Sequence, residues 1–352
     1  MRRFVSRPVY LTTLALSLAV VAGSIKTEAH KPVTSRYTFN NDIFPILRDH
    51  CGRCHVDGGP APMGLLAWNN GPDSATPWAE SIRQLIVGEQ MPPWYVDSQG
   101  PAVKGGSKLS PVQSDKLLTW VTGGTPEGDP EKRPTPSTYQ ARWTGGPPDL
   151  LLPMEMDYTM AAGETEATRE FVLSTGLREQ RWLKAVDLMP GAAEIVRNAS
   201  ISVENGGMLS VWVPGDNLVS APAGTAFRLP AGAKLRLEIH YKKQWQNEGK
   251  VIKDRSTVGL YYTTAPPSGR EIQSLAIAAP KGVERASTFG GVLPVKGRVV
   301  AVRPSLDHVY GTFTVRAITP GGTSVPLLRL RTPRPEWRRR YWLAEPVHLP
   351  AG

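Results

Sequence analysis

The sequence predicts a multidomain chain: a small all-α domain, followed by all-β antiparallel sandwich domains of which the last is short. Three observations carry this reading. Residues 39–123 hold apolar stripes at helical spacing, opened and closed by capping signals. From Leu150 onward the apolar residues fall into short alternating runs split by turn residues, the pattern of half-buried strands. Proline (33) and glycine (34) are both abundant, which favours turns over long helices. A chain of 352 residues has room for two or three domains, and 40% hydrophobic content fills ordinary cores.

At the N-terminus, Arg2, Arg3 and Arg7 precede an apolar run from Val9 to Ala22 and small residues up to Ala29. Residues 1–29 therefore read as an export signal peptide, and the expected location is periplasmic or otherwise outside the cytoplasm. The run is short of the ~20 residues a spanning helix needs and is broken by Thr12, Thr13 and Ser17, which weighs against an uncleaved anchor.

The first helix is expected over residues 40–50. Ile43, Phe44, Ile46 and Leu47 form its apolar stripe, Asn40 or Asn41 is its cap, and Arg48 lies in its last turn. Pro77 opens a second helix that runs to about Val87 and stops at Gly88. Ser110-Pro111 opens a third, with Leu117, Leu118, Trp120 and Val121 inward and Gly123-Gly124 as its stop. Residues 37–128 make one unit, and the prolines of 129–149 make a linker. Strands are expected at 171–173, 182–186, 209–213, 235–241, 258–262, 298–302 and 312–318. The first sandwich spans 150–264 and a second, truncated one spans 265–352.

Cys51-Gly52-Arg53-Cys54-His55 is the motif with chemistry in it. C-x-x-C-H is the attachment signature of haem c: two thiols add across the vinyl groups of one porphyrin, and the next residue supplies the proximal imidazole. Both cysteines of the chain lie here, so no structural disulfide is available. A thioredoxin-like pair would follow a strand, whereas residues 40–50 read as helix. A zinc site would need two more strong ligands, and only His50 stands nearby. For the sixth iron position Met91, on the proline-stiffened stretch Met91-Pro92-Pro93-Trp94, is the candidate; Met63, eight residues after His55, is the rival. The helix order, the motif and the Met-Pro loop are those of a small monohaem cytochrome c domain, an electron carrier.

Charge is uneven. Residues 30–150 hold 11 Lys/Arg against 12 Asp/Glu, whereas residues 151–352 hold 26 against 18, six of them arginines from Arg329 to Arg340. A basic C-terminal face would suit an acidic protein or an anionic membrane surface; a solvated strand edge accounts for it equally well. No nucleic-acid-binding motif is present, and redox proteins are the expected partners.

Several stretches go further: Phe39-Asn40-Asn41-Asp42-Ile43 through His55, Met91-Pro92-Pro93-Trp94, Gly124-Thr125-Pro126-Glu127-Gly128, Pro148-Asp149-Leu150, Pro230-Ala231-Gly232, Ile239-His240-Tyr241, Asp254-Arg255-Ser256 and Tyr341-Trp342-Leu343-Ala344-Glu345-Pro346. On these the chain resembles exported bacterial proteins in which a c-type cytochrome precedes a copper type II, ascorbate-dependent monooxygenase-like module. That module is similar to peptidylglycine α-hydroxylating monooxygenase, two jelly-roll sandwiches each holding one copper. The resemblance implies a His-His pair and a His-Tyr strand at the first copper. Here His240-Tyr241 is present, but the pair's place reads Arg197-Asn198. It implies a His-x-His and a distant methionine at the second. Here the stretch reads Leu306-Asp307-His308, and the methionine has no counterpart before Gly352. One imidazole per site holds copper poorly. His240 and His308 remain weak copper candidates, copper is not expected, and a haem-coupled monooxygenase is the second functional reading.

Overall fold

The computed structural model describes residues 34–106, 108–135, 137–266, 270–278 and 288–352. The expected export signal lies outside the described residues. Among those described, no helix is long and apolar enough to cross a membrane.

The first part of the chain is helical. A wide turn, Phe39–Ile43, runs into α1 (Phe44–His50); a short 3-10 turn at Thr76–Trp78 opens α2 (Ala79–Val87); α3 is Pro111–Thr122. The α3 start is fixed by a reciprocal capping box: Gln113 N–H donates to Ser110 Oγ at 3.2 Å, and Ser110 N–H donates to Gln113 Oε1 at 2.9 Å. The expected Asn40 or Asn41 cap is replaced by another arrangement. Both asparagines lie inside the first turn, Asp42 accepts from Thr38 N–H at 3.1 Å, and the Asn40 amide donates to the Asp129 carbonyl at 2.8 Å. Phe39, Ile43, Leu47, Leu117 and Trp120 form a closed core. Trp120 is fully buried, and its indole N–H is satisfied by the Pro126 carbonyl at 3.1 Å.

Two four-stranded antiparallel sheets follow. Their strands are β1 (Leu150–Pro153), β3 (Glu166–Ser174), β4 (Arg181–Met189), β5 (Val196–Val203), β6 (Met208–Trp212), β7 (Phe227–Leu229), β8 (Lys234–Lys242) and β10 (Thr257–Thr263); β2 (Tyr158–Met160) and β9 (Ile252–Asp254) pair at one end. One sheet has the order β1-β10-β4-β7 and the other β3-β8-β5-β6, with a single apolar core between them. The period-2 pleat sets that core: on β8, Leu235, Leu237, Ile239 and Tyr241 are fully buried while Lys234, Arg236, Glu238 and His240 alternate with them on the other face. Asp254 ties one corner, accepting from Tyr241 Oη at 2.8 Å, Ser256 Oγ at 2.8 Å and Ala192 N–H at 2.8 Å. A carboxylate this deep is tolerated because each of those donors is matched to it.

Asp187 on β4 is buried with less support. Burial pushes its carboxyl up to about 6, against the Leu188 N–H that favours the ionised form; Asp216 adds a further push upward. The folded state therefore holds a proton that the unfolded chain loses, so this group's contribution to stability falls as pH rises from about 4 through about 6. Asp187→Asn is expected to stabilise the chain by about 2–3 kcal/mol at pH 7.5 and to leave it unchanged near pH 4. Urea midpoints of both proteins at the two pH values check this; no gain at pH 7.5 would refute the assignment.

The last four strands, β11 (Gly297–Val302), β12 (Thr312–Ile318), β13 (Ser324–Arg331) and β14 (Tyr341–Leu349), form two two-stranded sheets, β11-β14 and β12-β13. Val300, Ala301 and Trp342 pack on the sandwich core, while Leu328, Leu330 and Tyr341 form a separate cluster. That cluster takes in Trp94, Tyr95, Val96 and Val103. The loop between α2 and α3, counted with the helical unit on sequence grounds, thus packs on the C-terminal strands. Val96 bridges Leu330, Val103 bridges Leu343, and Asp97 pairs with Arg329 at 2.8 Å.

The arginine run is largely engaged within the chain. Arg329 and Arg331 reach Asp97 and Glu89, Arg334 reaches Gln90 Oε1 at 2.7 Å, and Arg339 is buried against Asp216. Arg340 donates to the Leu209 and Met208 carbonyls and lies 5.4 Å from the ring centres of Phe227 and Trp342.

Candidate functional site

Residues 51–55 form one tight turn off the end of α1. The Cys51 carbonyl accepts from Cys54 N–H at 3.0 Å and from His55 N–H at 2.8 Å. Residues three apart on such a turn share a face, so the two thiols project together. Both are free, and burial pushes them up to about 12 (Cys51) and about 11 (Cys54). A dithiol redox pair is activated by the opposite shift.

The His55 ring is oriented by a hydrogen bond to the loop that follows it. Its Nδ1–H donates to the Met63 carbonyl at 3.2 Å, which fixes the tautomer and leaves the Nε2 lone pair available to a ligand. Burial lowers its pKa to about 4, with the Met63 contact opposing, so the ring is neutral as a metal ligand must be. Leu65 N–H donates to the His55 carbonyl at 3.0 Å, returning the loop against the motif. The donor set fits a covalent haem: two unpaired thiols on one face and one neutral, oriented imidazole.

Met91 lies just past α2, its N–H donating to the Leu85 carbonyl at 3.2 Å. Met63 and Cys51 pack against the helical core, whereas Met91 is not part of it. The residues flanking Met91 are held from the 332–340 connection between β13 and β14. Arg334 takes Gln90, and Arg339 donates to the Pro93 carbonyl while lying 5.6 Å from the Trp94 ring centre.

The motif is also clasped by the sandwich, through residues that carry no local signal in the sequence. Arg53 donates to the Gly215 carbonyl at 2.9 Å and to Asn217 Oδ1 at 2.6 Å. Gly215 (φ +81°) passes so close that a Cβ there would lie 2.8 Å from Cys54 Sγ, so both its dihedral and its neighbour call for glycine. The next residue, Asp216, pairs with the buried Arg339 at 2.7 Å. Burial opposes the Arg339 charge, yet Asp216 more than offsets it and holds the pKa above the ordinary value. Arg197 and Gln244 both donate to the Pro60 carbonyl, at 2.8 and 3.2 Å. A continuous chain therefore runs from Cys54 through Gly215, Asp216 and Arg339 to Pro93.

The weak copper candidates lie apart from this chain. His240 pairs across the sheet with Asn198, beside a register shift between Val196 and Asn198. The Asn198 amide faces its Nδ1 at 3.2 Å and Glu166 accepts from Nε2 at 2.8 Å, so both ring nitrogens are engaged. His308 sits in the 303–311 loop with Nδ1 on Asp307 at 2.8 Å and its ring 4.1 Å from Tyr310; its buried Nε2 has no partner among the described residues. No group of three or more His, Cys, Asp or Glu side chains able to hold a metal occurs among the described residues. Comparisons with family models and with curated proteins give no match to the chain.

Proposed function

We propose that the chain is an exported monohaem c-type cytochrome that transfers electrons, with the β-sandwich as a non-catalytic docking module. The observation that carries this is the Cys51–His55 turn: paired thiols on one face and an imidazole whose Nδ1 is tied to Met63, leaving Nε2 for iron. Cys51 and Cys54 are the covalent attachments, His55 the proximal ligand and Met91 the distal one. With its carbonyl already engaged by His55, Met63 belongs to the proximal side, which supports Met91 in the distal role. Covalently bound haem supplies reversible one-electron exchange. The chain's own residues orient the imidazole, keep it neutral and close one side of the motif with the 213–217 loop. Export is part of this reading, since thioether attachment takes place outside the bacterial cytoplasm.

The sheet orders β1-β10-β4-β7 and β3-β8-β5-β6 have the connectivity of a jelly roll, which supports the likeness to copper monooxygenase modules. One experiment tests both readings: an alkaline pyridine haemochrome spectrum of the purified protein with an iron and copper count. One iron per chain with a thioether haem spectrum is expected; protein without haem would end the proposal, and stoichiometric copper would favour the monooxygenase reading.

A further inference from the structure

Residues 91–104 follow α2 in the sequence, yet their main chain is hydrogen-bonded as part of the C-terminal sheets. Asp97 N–H donates to the Arg329 carbonyl at 3.0 Å and Arg331 N–H to the Tyr95 carbonyl at 2.9 Å, which adds 95–97 to the edge of β13. Lys104 N–H donates to the Trp342 carbonyl at 2.7 Å and Ala344 N–H to the Ala102 carbonyl at 2.9 Å, which adds 102–104 to the edge of β14. One loop thus supplies partners to N–H and C=O groups on two sheet edges. Its apolar side chains go the same way. Trp94, Tyr95, Val96 and Val103 pack with Leu328, Leu330 and Tyr341, and among the described residues none of 91–104 belongs to the helical core.

Both ends of the loop break with the helices. After α2, Glu89 N–H donates to the Ile86 carbonyl at 3.0 Å and Gln90 N–H to the Leu85 carbonyl at 2.8 Å, with Glu89 at φ +51°. That pairing ends a helix and turns the chain away from its axis. At the far end Gly105 and Gly106 take φ +75° and +109°, which glycine adopts without a steric penalty. Between these ends Arg339 joins the loop to the cover of the C-x-x-C-H turn. Its Nη2 and Nε meet Asp216 at 2.7 and 2.9 Å, and Asp216 follows the glycine that abuts Cys54. Its Nη1 donates to the Pro93 carbonyl, two residues past Met91, and the Trp94 and Trp337 ring centres lie 5.6 Å from it on either count. A planar fork of donors suits one side chain to fixing two loops in one orientation.

We infer that the C-terminal strands position the distal ligand: Arg339 and the paired edges of β13 and β14 set where Met91 stands relative to the Cys51–His55 turn. The inference rests on the haem reading above, with Met91 in the sixth place, and gives these strands a part in the site itself. Arg339 is its central positioning residue. The proximal imidazole is oriented from the loop next to it, through Met63, whereas the Met91 loop is held from strands more than 200 residues away. The two axial ligands are therefore placed by different parts of the chain. Loosening the strands' hold frees Met91 and leaves the covalent attachment and the imidazole in place.

The test compares the purified full chain with Arg339→Met and Lys104→Pro. Methionine removes both polar ties of Arg339 while keeping an apolar stem between the tryptophans; proline at 104 removes the N–H given to Trp342, well along the loop from Met91. Three readouts are taken: the far-red charge-transfer band, carbon monoxide binding by the reduced form, and amide exchange of 91–104 against that of α3. The wild-type chain is expected to show the band and exclude carbon monoxide. Both variants should exchange the loop amides about tenfold or more faster, lose most of the band and bind carbon monoxide, with α3 protection and the thioether spectrum retained. Arg142→Gln, in the exposed linker, should match the wild type. If α3 protection falls in Arg339→Met, Lys104→Pro decides. A band and carbon monoxide exclusion kept in both variants overturn the inference alone, as does loop exchange at the wild-type rate in both. A wild-type chain without haem ends the cytochrome reading and this inference together, and wild-type haem that binds carbon monoxide removes Met91 from the sixth place.

Discussion

Asp216→Ala should destabilise the chain by about 3 kcal/mol, the lower end of what breaking a buried ion pair costs, because Asp216 itself keeps some solvent access. The reason is asymmetry. Arg339 is 6% exposed, and without Asp216 its charge stays in a site where, among the described residues, the Pro93 carbonyl and the Trp94 and Trp337 rings are the contacts left to compensate it, with the Tyr95 and Tyr341 hydroxyls nearby. Removing both members is a different matter, since a similar volume of apolar side chain leaves no charge behind. Asp216→Ala/Arg339→Met should therefore recover much of the loss. Denaturant midpoints for the two single variants and the double variant close the cycle. If the double variant is as unstable as the sum of the singles, the pair is not coupled in the way its geometry requires. The single variant should also loosen the 91–104 loop, since the same guanidinium holds Pro93. Faster proteolytic cleavage within that loop would report it.

Local signals in the sequence were enough to locate the helices. Ser110-Pro111 with Gln113 encodes the α3 start, and Gly88 and Gly123 encode two stops, because a cap depends on neighbours within one turn. The strands with clean alternation, β8 above all, were equally legible. Less legible were β5, where Arg197, Asn198 and Ser200 dilute the apolar run, and β13 and β14, where Pro326 and Pro346 sit inside strands that also carry arginines. Those segments become strands because of the partners they meet, which a local pattern does not contain. The same division runs through the candidate site. Cys51, Cys54 and His55 are contiguous and so announce themselves. Gly215, Asp216 and Arg339 reach the motif across more than 120 residues of chain, and Arg339 is indistinguishable in the sequence from its arginine neighbours. The run from Arg329 to Arg340 reads in the sequence either as a basic face or as a solvated strand edge; the ion pairs that Arg329, Arg331 and Arg339 make with Asp97, Glu89 and Asp216 depend on distant partners that a local pattern does not contain.

If the chain carries haem as proposed, Met91→Ala is expected to abolish the far-red charge-transfer band of its ferric form and to let the reduced form bind carbon monoxide. The thioether spectrum should remain, since Cys51, Cys54 and His55 are untouched. The argument rests on how the loop is fixed. The Met91 N–H is bonded to Leu85 at the end of α2, Gln90 before it is held by Arg334, and Pro93 after it is held by Arg339. A thioether on a segment anchored on both sides gives up little conformational freedom on ligation, whereas one on a mobile loop would give up more. Methionine with histidine raises the reduction potential, so the variant should also be harder to reduce. Met63→Ala is the internal control: its side chain packs in the helical core and its carbonyl meets His55, so the band should persist while stability falls. The reverse outcome, a band lost in Met63→Ala and kept in Met91→Ala, would transfer the distal role to Met63. It would also mean that the anchored loop serves only to fasten the helical unit to the strands behind it.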